Sequence, residues 1–495
     1  MNTQERAEMR HCAHEILANA DPRNPQRSVE WPRYSSLLPH VKASGMVACE
    51  DPWVRELVLN EMRFLEARSD YAEALDVAEK ATNIWRRGLG DDHEHVLATD
   101  QVRVQVLRWQ NRYDEAFDLQ SELLERCRRS LGDRHPATQR AVSLMAALYR
   151  ARGDFFGARS LDRQAYEALQ REFGSDDPGT LMAAHNYAVS LRLSSDLKDL
   201  EEAYRVDEDT FQRRVEVLGD DHLQTLLSLH CLYIDLQELG RYQEAADGHE
   251  QLRERVLAML GDEHSMVAWV CRELSVTRRK LGDHQGAFEL SHRALGMYRS
   301  RPGQDKHNLA WAELNHATDL RQTGDLEGAL ELGRHAMELC REALGDDHPH
   351  TYATATNLAV TLRLLERTEE ARELNRVAAE GMSRRLSPQH ARAILVKTNL
   401  ASDFADQGDF QRAYELGEEI YEQSAQASGE RHPDALAVRL NLSYDLKAVG
   451  ETERAKTLYD QTVAAMREVL GPDHPATVNA SRSQRANCDI DMLAL

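Results

Sequence analysis

Leu344 to Thr351 read LGDDHPHT, and variants of this phrase return along the whole chain. LGDDHEH starts at Leu89, LGDRHPAT at Leu131, LGDDHLQT at Leu218, LGDEHSM at Leu260, GERHPDA at Gly429 and LGPDHPAT at Leu470. Weaker copies are GSDDPGT from Gly174, GQDKHN from Gly303 and SPQHAR from Ser387. The phrase has the grammar of a connection between helices. Gly345 can take the left-handed conformation that ends a helix. Asp346, Asp347 or His348 can cap the next one, and Pro349 suits its first turn.

A second mark keeps the same beat. Alanines stand at Ala74, Ala116, Ala158, Ala203, Ala245, Ala287, Ala329, Ala371, Ala413 and Ala455. Successive members are 42 residues apart, except for one step of 45 that marks a three-residue insertion near SSDLKDLEEA. Between the marks, apolar residues fall at helical spacing, as in Leu358, Leu362 and Leu365, with no strand-like alternation. The turn inside each unit often carries Gly-Asp, as at Gly153-Asp154, Gly282-Asp283, Gly324-Asp325 and Gly408-Asp409. A small residue just after that turn lets two helices approach closely, so the alanine is a packing mark. The periodicity predicts an all-α fold, a right-handed α-solenoid of about ten helix–turn–helix units. Residues 1–48 form an N-terminal helical cap, 49–474 the superhelix, and 475–495 a C-terminal capping helix and tail.

Paired helices with a Gly-Asp turn and Glu-Ala opening the second helix resemble the tetratricopeptide repeat. The usual unit there has about 34 residues. The eight extra here amount to roughly one more turn in each helix. The 42-residue spacing with LGxxHPxT is similar to the repeats of kinesin light chains and of many bacterial regulators. Two end segments add to this. Ala13 to Val41, AHEILANADPRNPQRSVEWPRYSSLLPHV, resembles the segment after the winged helix in bacterial NTPase–tetratricopeptide signalling proteins. The tail from Ala486 to Leu495, ANCDIDMLAL, is similar to the ending of tetratricopeptide components of FxSxx-COOH peptide systems. There is no GxxxxGK[ST], so the chain departs from such proteins in lacking a phosphate-cradling loop. The resemblance then implies the sensing half alone.

Composition bounds the function. The net charge is −22, from 83 acidic and 61 basic residues, which argues against nucleic acid and anionic membranes as partners. Seven scattered cysteines without a CxxC pair fit free thiols in a reducing cytoplasm. No apolar run is long enough to span a bilayer.

The candidate binding surface is the inner face, which the first helix of each pair lines in tetratricopeptide arrays. Nine residues after the loop histidine or its equivalent stand Asn186, Asn315, Asn357, Asn399 and Asn441. The same slot holds Val102, Leu144, Cys231 and Glu273 in other units. Six residues on, a second slot reads Arg108, Arg150, Arg192, Gln237, Arg279, Arg321, Arg363, Ala405 and Lys447. With about 100° per residue, the second slot lies about 240° from the first, on an arc that avoids the apolar positions one and five residues after the asparagine. An asparagine amide offers a donor and an acceptor, matching a peptide bond. Arginine pairs bidentately with carboxylates. Peptide-binding candidates are therefore Asn186, Asn315, Asn357, Asn399, Asn441, Arg150, Arg192, Arg279, Arg321, Arg363 and Lys447. The alternative is that Asn braces adjacent helices while Arg pairs with acidic neighbours.

Other chemistry is absent from the pattern. The loop histidines His93, His135, His222, His264, His348, His432 and His474 come one per unit, too far apart to share a zinc ion. His11, His14 and Glu15 do not make HExxH, and no GxSxG or GxGxxG occurs. No catalytic residues, metal or cofactor are expected, and the chain is not read as an enzyme. The expected function is a scaffold holding an extended acidic peptide, or one with a free C-terminal carboxylate, in the concave groove. The alternative is a ligand-sensing regulatory half of a signal-transducing NTPase system.

Overall fold

The computed structural model describes residues 3–194, 196–300 and 306–493. The start of the GQDKHN copy at Gly303, Ser195 of the insertion and the terminal carboxylate of Leu495 lie outside the described residues. Two helices, α1 (Thr3–Asn19) and α2 (Trp31–Ala43), precede the array. Ten antiparallel pairs follow. They are α3 (Pro52–Ala67) with α4 (Tyr71–Leu89), α5 (Glu94–Trp109) with α6 (Tyr113–Leu131), and α7 (Pro136–Ala151) with α8 (Phe155–Phe173). Next come α9 (Pro178–Ser194) with α10 (Leu197–Leu218), α11 (Leu223–Glu238) with α12 (Tyr242–Leu260), and α13 (Ser265–Lys280) with α14 (His284–Arg299). The last four are α15 (Lys306–Thr323) with α16 (Leu326–Leu344), α17 (Pro349–Leu364) with α18 (Thr368–Arg385), α19 (Ala391–Asp406) with α20 (Phe410–Ser428), and α21 (Pro433–Ala448) with α22 (Thr452–Val469). A short helix, α23 (Pro475–Ser481), ends the helical part.

The two sequence marks have distinct jobs. All ten alanines are buried, none more than 4% exposed, where the two helices of a pair cross. The LGDDHP phrase ends the second helix at glycine: Gly345 has φ +85°. Of the three capping candidates in it, the histidine caps. His348 Nδ1 accepts the amide of His350 at 3.1 Å, and His93, His135, His222, His264, His390, His432 and His474 do the same on their own helices. The insertion lengthens α10 to 22 residues, against 19 in α8 and α12.

The histidines do more than cap. His348 Nε2 donates to the Arg150 carbonyl at 3.5 Å, 198 residues away. His390 reaches the Leu193 carbonyl at 3.1 Å and His474 the Lys280 carbonyl at 3.1 Å, over nearly the same separation. The superhelix therefore closes a turn in between four and five units, and each turn rests on the previous one. Trp31 stacked on His264 and Arg392 paired with Glu238 at 3.0 Å belong to the same seam.

The seam is close-packed. Gly282, at φ +84°, lies so near Pro475 that an added Cβ would sit 2.5 Å from its Cδ. Gly282→Ala should cost about 1–3 kcal/mol through the unfavourable φ and the overpacked contact. A lowered melting temperature with an increased radius of gyration in solution scattering would check it. An unchanged radius would show that the turns do not depend on this contact.

The N-terminal segment packs on the first pair of the array. Ala18, Tyr34, Leu37, Val41 and Met46 join one apolar cluster with α3 and α4. Trp85 of α4 donates to the Val47 carbonyl at 2.7 Å. After α23 the chain reverses at Ser483, which has φ +60°, and residues 485–493 run without helix or strand along the inside of the superhelix.

Candidate peptide-binding groove

The first helices of the pairs line the interior, and three of the asparagines there grip the chain's own tail. Asn441 Nδ2 donates to the Ala486 carbonyl at 2.9 Å, and its Oδ1 accepts the Ala486 amide at 2.8 Å. Asn399 does the same with Cys488, at 2.6 and 3.1 Å. Asn357 does the same with Ile490, at 3.0 and 2.8 Å. Each amide side chain thus satisfies both backbone groups of one residue, and one unit of the array takes two residues of tail. The tail runs from the last unit back toward the first.

The residues between face arginines. Asn487 accepts from Arg363 at 2.7 Å, Asp489 pairs with Arg321, and Asp491 pairs with Arg279 and Lys280, both at 3.0 Å. Burial raises the Asp491 carboxyl, but Lys280 and Arg279 outweigh it and hold the group below its usual range. The alternate side chains, Cys488 and Ile490, are buried in a cluster with Phe155, Val189, Leu193, Tyr352 and Leu395. Burial pushes the Cys488 thiol well up, so it is a packed apolar group.

The arginines also brace the array. Arg279 pairs with Asp319 of the next unit at 2.6 Å, and Arg363 with Asp403 at 2.6 Å. Arg321 donates to the Asn357 carbonyl at 3.1 Å, and Arg363 to that of Asn399 at 3.1 Å. Arg192 is fully interior, bound to Asp235 at 2.6 Å and Asp207 at 2.8 Å. Arg150 pairs with Asp162 and donates to Ser190 at 2.9 Å. So Arg192 and Arg150 are tied into the scaffold, where the sequence reading put them on an open ligand-facing row. Lys447 is exposed, and Arg485 of the tail binds Asp445 at 2.6 Å.

Among the described residues, two asparagines hold no tail residue. Asn315 is buried and its Nδ2 lacks an acceptor. Asn186 lines the front half of the interior, in a cavity of about 600 Å³ with Arg63, Glu66, Arg108, Arg140 and Arg150. Sequence reading missed the acidic column four residues after the asparagine slot, Asp235, Asp319, Asp403 and Asp445. Its regular spacing was the available signal. It also missed that Asn487, Asp489 and Asp491 alternate at the spacing of an extended chain.

His185, Asp207 and Cys231 have possible ligand atoms within 4.8 Å of one another. Arg192 pairs with Asp207 there at 2.8 Å and donates to the Cys231 carbonyl at 3.4 Å.

A tetratricopeptide repeat profile matches residues 101–155, 138–199, 308–384 and 391–468, together more than half of the chain. The chain belongs to the tetratricopeptide repeat family. A second tetratricopeptide profile matches 63–95. Solved structures resembling this tetratricopeptide array include a Podosopora anserina chain of nearly identical TPR-like repeats described as a kinesin light chain. It is 23% identical, covers 40% of this chain and 93% of its own, and gives a TM-score of 0.33. BtubC (BKLC) from P. vanneervenii is 20% identical over 48% of this chain and 93% of its own, with a TM-score of 0.35. The Rap protein complexed with Competence and Sporulation Factor is 11% identical over 75% of this chain and 98% of its own, with a TM-score of 0.55. It shares the fold. No curated protein sequence gives a significant match. No helix among the described residues is long and apolar enough to cross a membrane.

Proposed function

We propose that this tetratricopeptide array is a protein-interaction scaffold whose interior groove captures an extended, acidic peptide segment. The observation that carries the reading is the row of Asn357, Asn399 and Asn441, each holding both the N–H and the C=O of one tail residue. Such contacts read a backbone and tolerate any side chain. Selectivity then falls to the arginines, which face every second residue. The Rap protein, with a related fold, is seen holding Competence and Sporulation Factor. A partner segment ending in a free carboxylate would meet Arg108 and Arg140 in the front cavity.

The test is amide hydrogen exchange on the full chain. Asn357→Leu with Asn399→Leu should speed exchange at Cys488 and Ile490 at least tenfold while the amides of α3 to α12 stay protected. Unchanged protection of those two amides would overturn the backbone-capture reading.

A further inference from the structure

We infer that the C-terminal tail is an exchangeable internal occupant of the groove, and that the groove selects partner segments bearing carboxylates at every second position. The inference rests on the proposed function and names its partner class and its regulation.

The occupant is attached by a single joint. Residues 481–484 are exposed, and Ser483 carries the left-handed φ that a non-glycine residue adopts at a cost. When the tail departs, three of its basic partners keep contacts in the helical framework. Arg279 keeps Asp319, Arg321 keeps the Asn357 carbonyl, and Arg363 keeps Asp403.

What departure exposes is a line of positive charge in a chain of net charge −22. Arg363, Arg321, Arg279 and Lys280 would face the groove without Asn487, Asp489 and Asp491. Their spacing fixes the partner: extended, running from the last unit toward the first, acidic at alternate residues and apolar between. The sockets for the apolar residues are those now holding Cys488 and Ile490.

Among the described residues the tail does not use the whole ladder. The Nδ2 of Asn315, the next rung toward the first unit, is buried without an acceptor. A partner residue accepting from that amide gains a hydrogen bond that the tail lacks, which lets it displace a tethered competitor.

The experiment uses full-length chains and a fluorescent peptide of sequence RANCDIDMLAL, read by anisotropy. Asp489→Lys with Asp491→Lys should eject the tail and raise affinity for the peptide at least tenfold over the parent. The milder Asp489→Asn with Asp491→Asn chain gives the same comparison if the lysine variant does not fold. Replacing both peptide aspartates by asparagine should weaken binding at least tenfold. Equal affinity of parent and tail-released chains would show that the tail is no competitor. Equal binding of the two peptides would show that the charges are not read. Adding Asn357→Leu and Asn399→Leu to the released chain isolates the other reading: undiminished binding there would overturn the backbone capture itself.

Discussion

Arg192→Met should destabilise the middle of the array by about 3–5 kcal/mol, the usual cost of removing one partner from a buried ionic group. The guanidinium is 1% exposed and joins Asp207 of α10 to Asp235 of α11 while donating to the Cys231 carbonyl. Burial lifts both carboxyls, Asp207 to about 6 and Asp235 well above its usual range, against the pull of Arg192. Without the arginine both must be buried charged or carry a proton. A carboxyl whose folded pKa is raised stabilises the fold below its unfolded pKa, and this is lost as pH rises through the folded value. The gap between variant and parent should therefore be widest at pH 7 and narrow at pH 5. Thermal melting at the two pH values checks this, with hydrogen exchange in α9 to α11 locating the damage. Adding Asp207→Asn and Asp235→Asn should recover much of the loss. A melting curve unchanged at pH 7 would mean that the ionic cluster does not hold these units together.

Removing the two best-buried seam histidines, His348→Ala with His390→Ala, should have an effect at least as large. Each loses a helix cap worth about 1 kcal/mol and leaves a buried carbonyl of the neighbouring turn without its donor, about 1–3 kcal/mol more. Both rings must be neutral to work, since Nδ1 accepts and Nε2 donates. Burial holds both to about 3, with Arg392 adding to the effect at His390. The sign follows. In the unfolded chain these rings protonate below about 6.5, while in the folded chain they stay neutral to about 3. Their contribution is complete above 6.5 and declines as pH falls toward 3. By linkage it shrinks by about 2 kcal/mol per ring at pH 5. The stability difference between parent and variant should contract by that amount from pH 7 to pH 5. Comparing the two chains cancels the carboxyls that titrate the other way. A difference independent of pH would refute the neutral, two-handed histidine. Solution scattering should also show the variant longer along the superhelix axis.

The repeat was legible because a solenoid writes its local rules once per unit. The alanine, the C-capping glycine and the capping histidine each act within a pair or its connection, so a period of 42 residues exposes them all. The asparagine row was legible for the same reason. Its occupant was not, since nothing local to Asn399 points to Cys488, 89 residues on. Nor was the second duty of the histidines. Whether His390 Nε2 meets water or the Leu193 carbonyl depends on the superhelical pitch. That pitch accumulates from small rotations between packed helices, which no single unit encodes.

The sequence by itself marked the units, their number and the asparagine row, because these follow from helical periodicity and turn chemistry over short spans. Only the tertiary structure decided that the coil closes on itself every four to five units, that Arg192 is a brace, and that the tail lies in the groove. Each of these is a contact between residues distant in the chain, set by how the pitch and curvature of the whole array bring its inner walls together.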